Sequence, residues 1–224
     1  MPVEGNTSES LNDKVYQKIK NDIMHLVLKP GTAVSVQKLA DAYGSSRTPV
    51  RESIVRLQQE GLVIIYPQAR TNISKISFNR INEECFIRRS LEVSMVDSFI
   101  KNCGTLETDT LENINAIMRR AIQRGNTVEF LSTDSRFHRM MLETAGQYLA
   151  CDFIESSNTH YNRLRFLSIM HGRFNNDDIE EHEAIIETAK KRDSDGMKAA
   201  IAKHLKEGKY QIRELQKVYP HYFA

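Results

Sequence analysis

The spacing of apolar residues changes once along this 224-residue chain, near Phe78. From Phe78 onward, apolar side chains recur at helical spacing, interrupted only by short polar or glycine-containing breaks. Before that point, three of the five prolines lie between residues 30 and 67, and β-branched and aromatic residues cluster on both sides of Pro67–Arg70. This change predicts two domains, a small mixed domain followed by an all-helical one.

The predicted fold class is mainly α. Five breaks divide the helical segment into a six-helix bundle, and they lie near Cys103–Gly104, Arg124–Asn126, Ala145–Gln147, His171–Gly172 and Arg192–Gly196. We therefore expect a disordered tail over residues 1–10, a mixed domain over 11–77 and a helical domain over 78–217.

The composition indicates the cellular location. No apolar run approaches the ~20 residues of a membrane-spanning helix, and residues 1–10 lack the basic start and apolar centre of a signal peptide. The three cysteines are an odd number at irregular spacing, which does not suit a disulfide framework. We expect a cytoplasmic protein with no membrane partner.

The mixed domain has the element order of a winged helix-turn-helix. Proline and glycine end its first helix at Lys29–Gly31, and glycine again follows its third helix. The predicted elements are a helix over Leu11–Leu28, a helix capped by Ser35, a turn at Tyr43–Ser45, a helix from Ser46 to Glu60, and strands Val63–Tyr66 and Thr71–Ser77.

The third helix carries the residues that we predict to contact DNA. Arg47 and Arg51 lie one turn apart at its N-terminal end, which enters the major groove in a helix-turn-helix. Arginine pairs bidentately with guanine, and the hydroxyls of Ser46 and Thr48 can donate to phosphate at the positive helix terminus. The alternative is that both arginines are solvated surface charges.

Four residues of the helical domain form a candidate metal site. Asp134 and His138 are four residues apart and so share one helix face. His182 and His204 each lie eleven residues from Asp193, so in an antiparallel hairpin both stand about 16 Å from the turn. Convergence of the four in the bundle would suit a divalent ion. The alternative is that the histidines are hydrogen-bonded core residues.

Several motifs of the mixed domain resemble the DNA-binding domain of GntR-family transcriptional regulators. They are Lys29-Pro30-Gly31, Leu39-Ala40, the run Ser46-Arg47-Thr48-Pro49-Val50-Arg51-Glu52, Leu57 and Glu60-Gly61-Leu62-Val63. The family usually has Arg-Gly after a proline at the wing tip, whereas Ala69-Arg70 follows Pro67-Gln68 here. The wing arginine is thus one place later and the glycine is absent. We assign Arg70 to DNA contact.

Motifs of the helical domain resemble the FadR-type branch of that family, in its metal-containing, VanR-like form. They are Arg88-Arg89-Ser90-Leu91-Glu92, Asp134 with Phe137-His138, Asn162-Arg163-Leu164-Arg165, Glu181-His182 and His204-Leu205. Asn162 stands where the branch more often has Asp. The resemblance implies that Asp134, His138, His182 and His204 bind a divalent metal beside an effector pocket. Zn²⁺ is our first expectation, with Ni²⁺, Mn²⁺ and Fe²⁺ as alternatives.

The resemblance also implies a small organic acid as effector. A guanidinium can clamp an acidic group in bidentate fashion. We assign effector binding to Arg88, Arg163, Arg165 and Asn158. Structural salt bridges between helices are the alternative role for the three arginines.

We predict a transcriptional regulator, expected to be a repressor, that binds double-stranded operator DNA as a homodimer and is controlled by the acid. One alternative is a DNA-binding protein whose bundle is metal-free and serves dimerisation only. A metal-dependent enzyme is the other, and it is disfavoured because no glutamate accompanies His138 as in a metalloprotease helix.

Overall fold

The computed structural model describes residues 10–68, 70–172, 177–206 and 212–224. These residues form two compact units, of which the first runs to Ile76 and also contains His221–Ala224, and the second is Ser77–Pro220. The predicted tail over residues 1–10 lies outside the described residues except for Ser10, which caps the first helix by accepting from the amide of Asp13. Within the described ranges, no helix is long and apolar enough to cross a membrane.

The first unit is a winged helix-turn-helix, which confirms the predicted fold class. Its strands form an antiparallel sheet in the order β1-β3-β2. The elements are α1 (Leu11–Met24), β1 (Ala33–Val34), α2 (Val36–Tyr43), α3 (Arg47–Gln59), β2 (Val63–Tyr66) and β3 (Arg70–Ile73). Strand β1 was not predicted, since two residues carry too little pattern to be recognised.

Packing of α1 against α3 makes the core of the first unit. Val15, Ile19 and Ile23 form one stripe of α1, and Val50 and Leu57 face them from α3, all of them buried. Burial of each such side chain contributes roughly 1.5–3 kcal/mol. This packing fixes the orientation of α3 within the unit.

The chain's last residues also belong to the first unit. The amide of Ile76 donates to the carbonyl of Tyr222 at 2.8 Å, and the amide of Ala224 donates to the carbonyl of Ile76 at 3.0 Å. Ile76 and Phe223 form a parallel bridge, and both side chains are buried. A 3₁₀ turn over Pro220–Tyr222 precedes this pairing.

All the regular structure described in the second unit is helical. Its helices are α4 (Phe78–Ser94), α5 (Val96–Asn102), α6 (Thr105–Gln123), α7 (Thr127–Thr144), α8 (Tyr148–Ser157), α9 (Thr159–Met170), α10 (Asp177–Lys190), α11 (Ser194–His204) and α12 (Ile212–Val218). Four of the five predicted breaks lie between two helices, and the fifth, Arg192–Gly196, overlaps the first turn of α11. Three of the six predicted helices are divided: two at Met95 and at Asn158, which each end one helix and begin the next, and the last after His204, where α11 ends before α12.

The apolar core of this unit lies where α7, α10 and α11 meet. Phe137, Met141, Ile185 and Ile201 are each 0% exposed and belong to one cluster. Asp134 continues the same buried stripe of α7. The core therefore ends against a set of polar side chains that are themselves out of contact with solvent.

Candidate metal centre and DNA interface

The four predicted metal ligands meet at one point inside the helical unit. Helix α7 supplies Asp134 and His138, α10 supplies His182 and α11 supplies His204. All four are buried, and one potential ligand atom from each lies within 4.8 Å of those of the others. The antiparallel hairpin of α10 and α11 brings the Nε2 atoms of His182 and His204 to 3.3 Å from each other.

These distances and atom types fit a small divalent cation. The Nε2 atoms of His138 and His204 are 3.2 Å apart, and Oδ1 of Asp134 lies 3.7 Å from Nε2 of His182 and 4.0 Å from Nε2 of His138. Two nitrogens bound at about 2.0–2.1 Å around a tetrahedral ion stand about 3.3 Å apart. Oδ1 accepts no hydrogen bond from any residue in the described part of the chain. Three imidazole nitrogens and a carboxylate oxygen thus face one another, and a cation bound among them would satisfy all four.

Two carboxylates hold the imidazoles in the orientation that a metal requires. The Nδ1 atom of His138 lies 2.5 Å from Oε2 of Glu92, and the Nδ1 atom of His204 lies 2.9 Å from Oε2 of Glu181. A carboxylate at Nδ1 selects the tautomer with the proton on that nitrogen, which leaves the lone pair of Nε2 free. Both rings therefore present their Nε2 atoms to the common point.

His182 is oriented by an aromatic ring instead. Its imidazole stacks on Phe137 with ring centres 3.9 Å apart and an interplanar angle of 1°. Burial lowers the pKa of His182 well below its usual value, and the neighbouring His204 and His138 lower it further. The ring is therefore neutral at physiological pH, as a metal ligand must be.

Arg165 pairs with the acidic ligand. Its Nη1 donates to Oδ2 of Asp134 at 2.7 Å, and both side chains are almost completely buried. Burial opposes ionisation of Asp134, but Arg165 and the nearby histidines hold its pKa well below the usual range. The carboxylate is thus ionised, with one oxygen bound by Arg165 and the other directed at the histidines. Arg165 accordingly touches a predicted metal ligand, although the sequence suggested effector binding.

A small cavity of about 40 Å³ adjoins the four-residue cluster at His138. Of the four predicted effector-binding residues, Arg88 and Asn158 line it, together with Asn162 and Ser135. Arg88 is held by Glu92, whose Oε1 accepts from its Nε at 2.7 Å. A space of this size holds only a few water molecules. It therefore suits a carboxylate group better than a large ligand.

Arg163 belongs to a different buried network. It is 0% exposed, and it donates to the carbonyl of Thr159 at 3.2 Å and contacts Nδ1 of His160 at 3.2 Å. Glu84 accepts from the amides of His160 and Tyr161 and so caps the N-terminus of α9. Burial raises the pKa of Glu84 to about 7 and lowers that of His160 to about 3. Arg163 does not line the cavity.

The structure adds Glu92 and Glu181 to the residues that the sequence indicated. Glu92 is the last residue of the Arg88–Glu92 motif, and its spacing of four residues from Arg88 indicates a salt bridge along one helix. No spacing connects it to His138, which is 46 residues away. Glu181 is adjacent to His182 in sequence, but it contacts His204 on the neighbouring helix.

The predicted DNA-contacting residues are exposed on the first unit. Ser46, Arg47, Thr48 and Arg51 are all exposed, and Ser46 is the N-cap of α3 without a side-chain cap hydrogen bond. The Nε of Arg47 donates to Oε1 of Gln37 on α2. This contact with α2 orients the guanidinium of Arg47 and leaves its outer edge for pairing with a base.

Another arginine of α3 has a different role. Arg56 pairs with Asp13 at 2.9 Å and stands over the Tyr16 ring at 3.7 Å, so it joins α3 to α1. Arg47 and Arg51 thus lie at the N-terminal end of α3, whereas Arg56, nearer its C-terminal end, links α3 to α1.

The wing keeps its arginine without the glycine. Gln68 adopts a left-handed conformation with φ of 56°, which glycine would adopt without strain. Arg70 is exposed and lies over the ring of Tyr66 at 5.3 Å. Ala69, the other residue of the predicted wing tip, lies outside the described residues.

Comparison with known families agrees with this arrangement in both units. Residues 11–73 match the family described as "Bacterial regulatory proteins, gntR family", and residues 85–207 match the FCD domain. The chain belongs to the GntR family. Its FCD domain indicates the FadR-type branch, as predicted from the motifs.

Similar proteins match this chain over most of its length. The transcriptional repressor RspR of Escherichia coli is 28% identical over 219 residues, which is 98% of this chain and 96% of RspR. A regulator from Streptomyces ambofaciens, described as an HTH-type transcriptional regulator, is 26% identical over 94% of this chain and 88% of its own length. The solved structure of Escherichia coli McbR/YncC shares the fold, with a TM-score of 0.76 at 20% identity over 95% of this chain and all of that one.

This GntR-family chain is a DNA-binding transcriptional regulator. Both matched families and the relatives are regulators and not enzymes, which confirms the prediction that the chain is not a metal-dependent enzyme.

Proposed function

We propose that this GntR-family regulator is a repressor whose helical unit binds a divalent metal and a small carboxylic acid. In this proposal Asp134, His138, His182 and His204 hold the ion, with Zn²⁺ as the first candidate and Ni²⁺, Mn²⁺ and Fe²⁺ as alternatives. The observation that carries it is the approach of three Nε2 atoms and Oδ1 of Asp134 to one point in a buried site.

Charge in the site favours an acidic effector. A divalent ion with a single carboxylate ligand leaves one net positive charge, and when bound it supplies a Lewis-acidic position for an oxygen ligand. Arg88 reaches the adjacent cavity, and its Nε is already occupied by Glu92. The N–H groups of Arg88 that do not bind Glu92 can clamp a carboxylate, and Asn158, which also lines the cavity, can orient it.

We further propose that the protein acts in the cytoplasm as a homodimer on an inverted-repeat operator. Ser46, Arg47, Thr48 and Arg51 of each protomer read one half-site, and Arg70 contacts the backbone or the minor groove. A repressor role is supported by the name of RspR, which is similar over nearly the whole chain. Effector binding would alter DNA affinity by changing the relative placement of the two DNA-binding units in the dimer.

A thermal-shift screen of small carboxylic acids against zinc-loaded protein tests the proposal. A stabilising acid should lose its effect in His182→Ala and His204→Ala, whereas an Arg51→Ala control on the first unit should keep it. Elemental analysis of the purified protein completes the test. Absence of bound metal, with no thermal shift on adding Zn²⁺ or Ni²⁺, would instead support a metal-free dimerisation bundle.

A further inference from the structure

Glu92 stands behind the candidate metal site and makes contacts with both of its oxygens. Its side chain is 0% exposed. Oε1 accepts from Nε of Arg88 at 2.7 Å, and Oε2 lies 2.5 Å from Nδ1 of His138. The carboxylate therefore links a metal-ligand candidate on α7 to an arginine on α4.

Burial of this carboxylate is costly unless both contacts are kept. An isolated buried ion loses several kcal/mol of hydration, and hydrogen bonds to each oxygen must compensate for it. The guanidinium of Arg88, which is itself buried and donates to Oε1, compensates the charge of an ionised Glu92. An ionised Glu92 can accept a hydrogen bond from a protonated Nδ1 of His138, but it has no proton with which to donate one. The only tautomer of neutral His138 that satisfies the contact has its Nε2 lone pair toward Asp134, His182 and His204.

We infer that Glu92 is the positioning residue of the metal centre, because it selects the tautomer of His138 and fixes its ring while Arg88 fixes Glu92. This inference rests on the proposed metal site. It assigns Glu92 no direct contact with the ion.

The groups that hold the three histidines differ in kind and in burial, so their removal should weaken metal binding to different extents. Glu92 is fully buried, Glu181 has a side chain that is 14% exposed, and His182 is held by the Phe137 ring with its Nδ1 lacking a partner among the described residues. Water can replace Glu181 as the acceptor for Nδ1 of His204 more readily than it can replace Glu92 as the acceptor for Nδ1 of His138. Loss of Glu92 should therefore weaken metal binding more than loss of Glu181.

Zinc affinity of the full-length protein, measured by competition with a chromophoric chelator, tests this order. Glu92→Leu removes the acceptor, and loss of such a partner typically lowers metal affinity roughly 10- to 100-fold. Glu92→Gln keeps an acceptor without the charge and should lose about 10-fold, at the lower end of that range. Glu181→Gln should lose less than Glu92→Gln. The control is Glu187→Gln, an exposed residue of α10, which should match the wild type.

A second measurement needs no variant, so it remains decisive if the Glu92 variants fail to fold. Long-range ¹H–¹⁵N correlation spectra of the histidine rings should show zinc on Nε2 and the proton on Nδ1 of His138 in the loaded wild type. Zinc on Nδ1 of His138, or equal zinc affinity of Glu92→Leu and the wild type, would overturn the inference while leaving the proposed function intact. Failure of the wild type to bind Zn²⁺, Ni²⁺, Mn²⁺ or Fe²⁺ would overturn both.

Discussion

The two units of this regulator place their functional charges in opposite environments. The first unit presents the predicted DNA-contacting residues Arg47, Arg51 and Arg70 on its surface, where water solvates them. The second unit buries charged residues of both signs, namely Glu84, Arg88, Glu92, Asp134, Arg163 and Arg165. An exposed arginine can therefore change without much effect on folding, whereas each buried charge in the second unit supports the fold, and Arg88, Glu92, Asp134 and Arg165 also support the candidate site.

The difference follows from the cost of dehydration. A surface ion pair contributes about 0–1 kcal/mol, since water competes for both partners. Removal of one partner from a buried pair leaves a charge without hydration or compensation and costs about 3–5 kcal/mol. Substitutions in the two units should separate these two regimes.

The largest effect is expected for Arg165→Met, which keeps the length of the side chain but removes the partner of Asp134. We expect the free energy of unfolding of the metal-free protein to fall by about 3–5 kcal/mol in chemical denaturation. Added Zn²⁺ should restore part of the loss, because a bound cation would compensate the Asp134 charge. Arg51→Ala is the control and should stay within about 0.5 kcal/mol of the wild type. A loss below 1 kcal/mol for Arg165→Met would contradict the comparison.

The next effect depends on pH and concerns Glu84. Burial raises its pKa from 4.5 to about 7, so the folded chain keeps a proton between those pH values that the unfolded chain has lost. Glu84 therefore stabilises the fold at the acidic end of this window, and its contribution is lost as pH rises toward 7. His160 acts in the opposite direction, because its pKa falls from 6.5 to about 3 and the unfolded chain binds the extra proton.

Glu84→Gln should leave the His160 contribution unopposed. Relative to the wild type, the unfolding free energy of the variant should decrease by about 1 kcal/mol for each pH unit from 7 down to 5. Urea denaturation at several pH values, with a chelator present, measures the difference. Parallel pH profiles for the two proteins would show that Glu84 ionises normally. An exposed control, Glu83→Gln, should give no change in slope.

The smallest effect on the free energy of unfolding is expected for Arg47→Ala in the first unit. Loss of a bidentate contact to guanine should weaken binding to an operator selected with the wild-type protein by about 1–3 kcal/mol. The free energy of unfolding should remain within about 0.5 kcal/mol of the wild type. Arg56→Ala on the same helix is the matched control, since that arginine pairs with Asp13 and Tyr16. Unchanged operator affinity in Arg47→Ala would remove this residue from the DNA interface.

Local patterns in the sequence determined the helices, their breaks and the faces of the candidate residues. Ser35 caps α2 where the pattern placed it, α3 begins directly after Ser46, and the apolar stripes of α1 and α3 are buried. The equal spacing of His182 and His204 from Asp193 predicted that they approach each other, because residues equally far from the turn of an antiparallel helical hairpin lie side by side. These features depend on neighbours within a few turns of helix.

Tertiary structure alone decided which buried charges meet. The sequence assigned Arg165 to an effector, but packing of α9 against α7 places it on Asp134. It did not connect Glu92 with His138, which lies 46 residues away, and it gave no sign that Ile76 pairs with Phe223. Helical periodicity fixes the face on which a side chain lies. Its partner depends on how distant helices stack and rotate, and that is set by packing of the whole core.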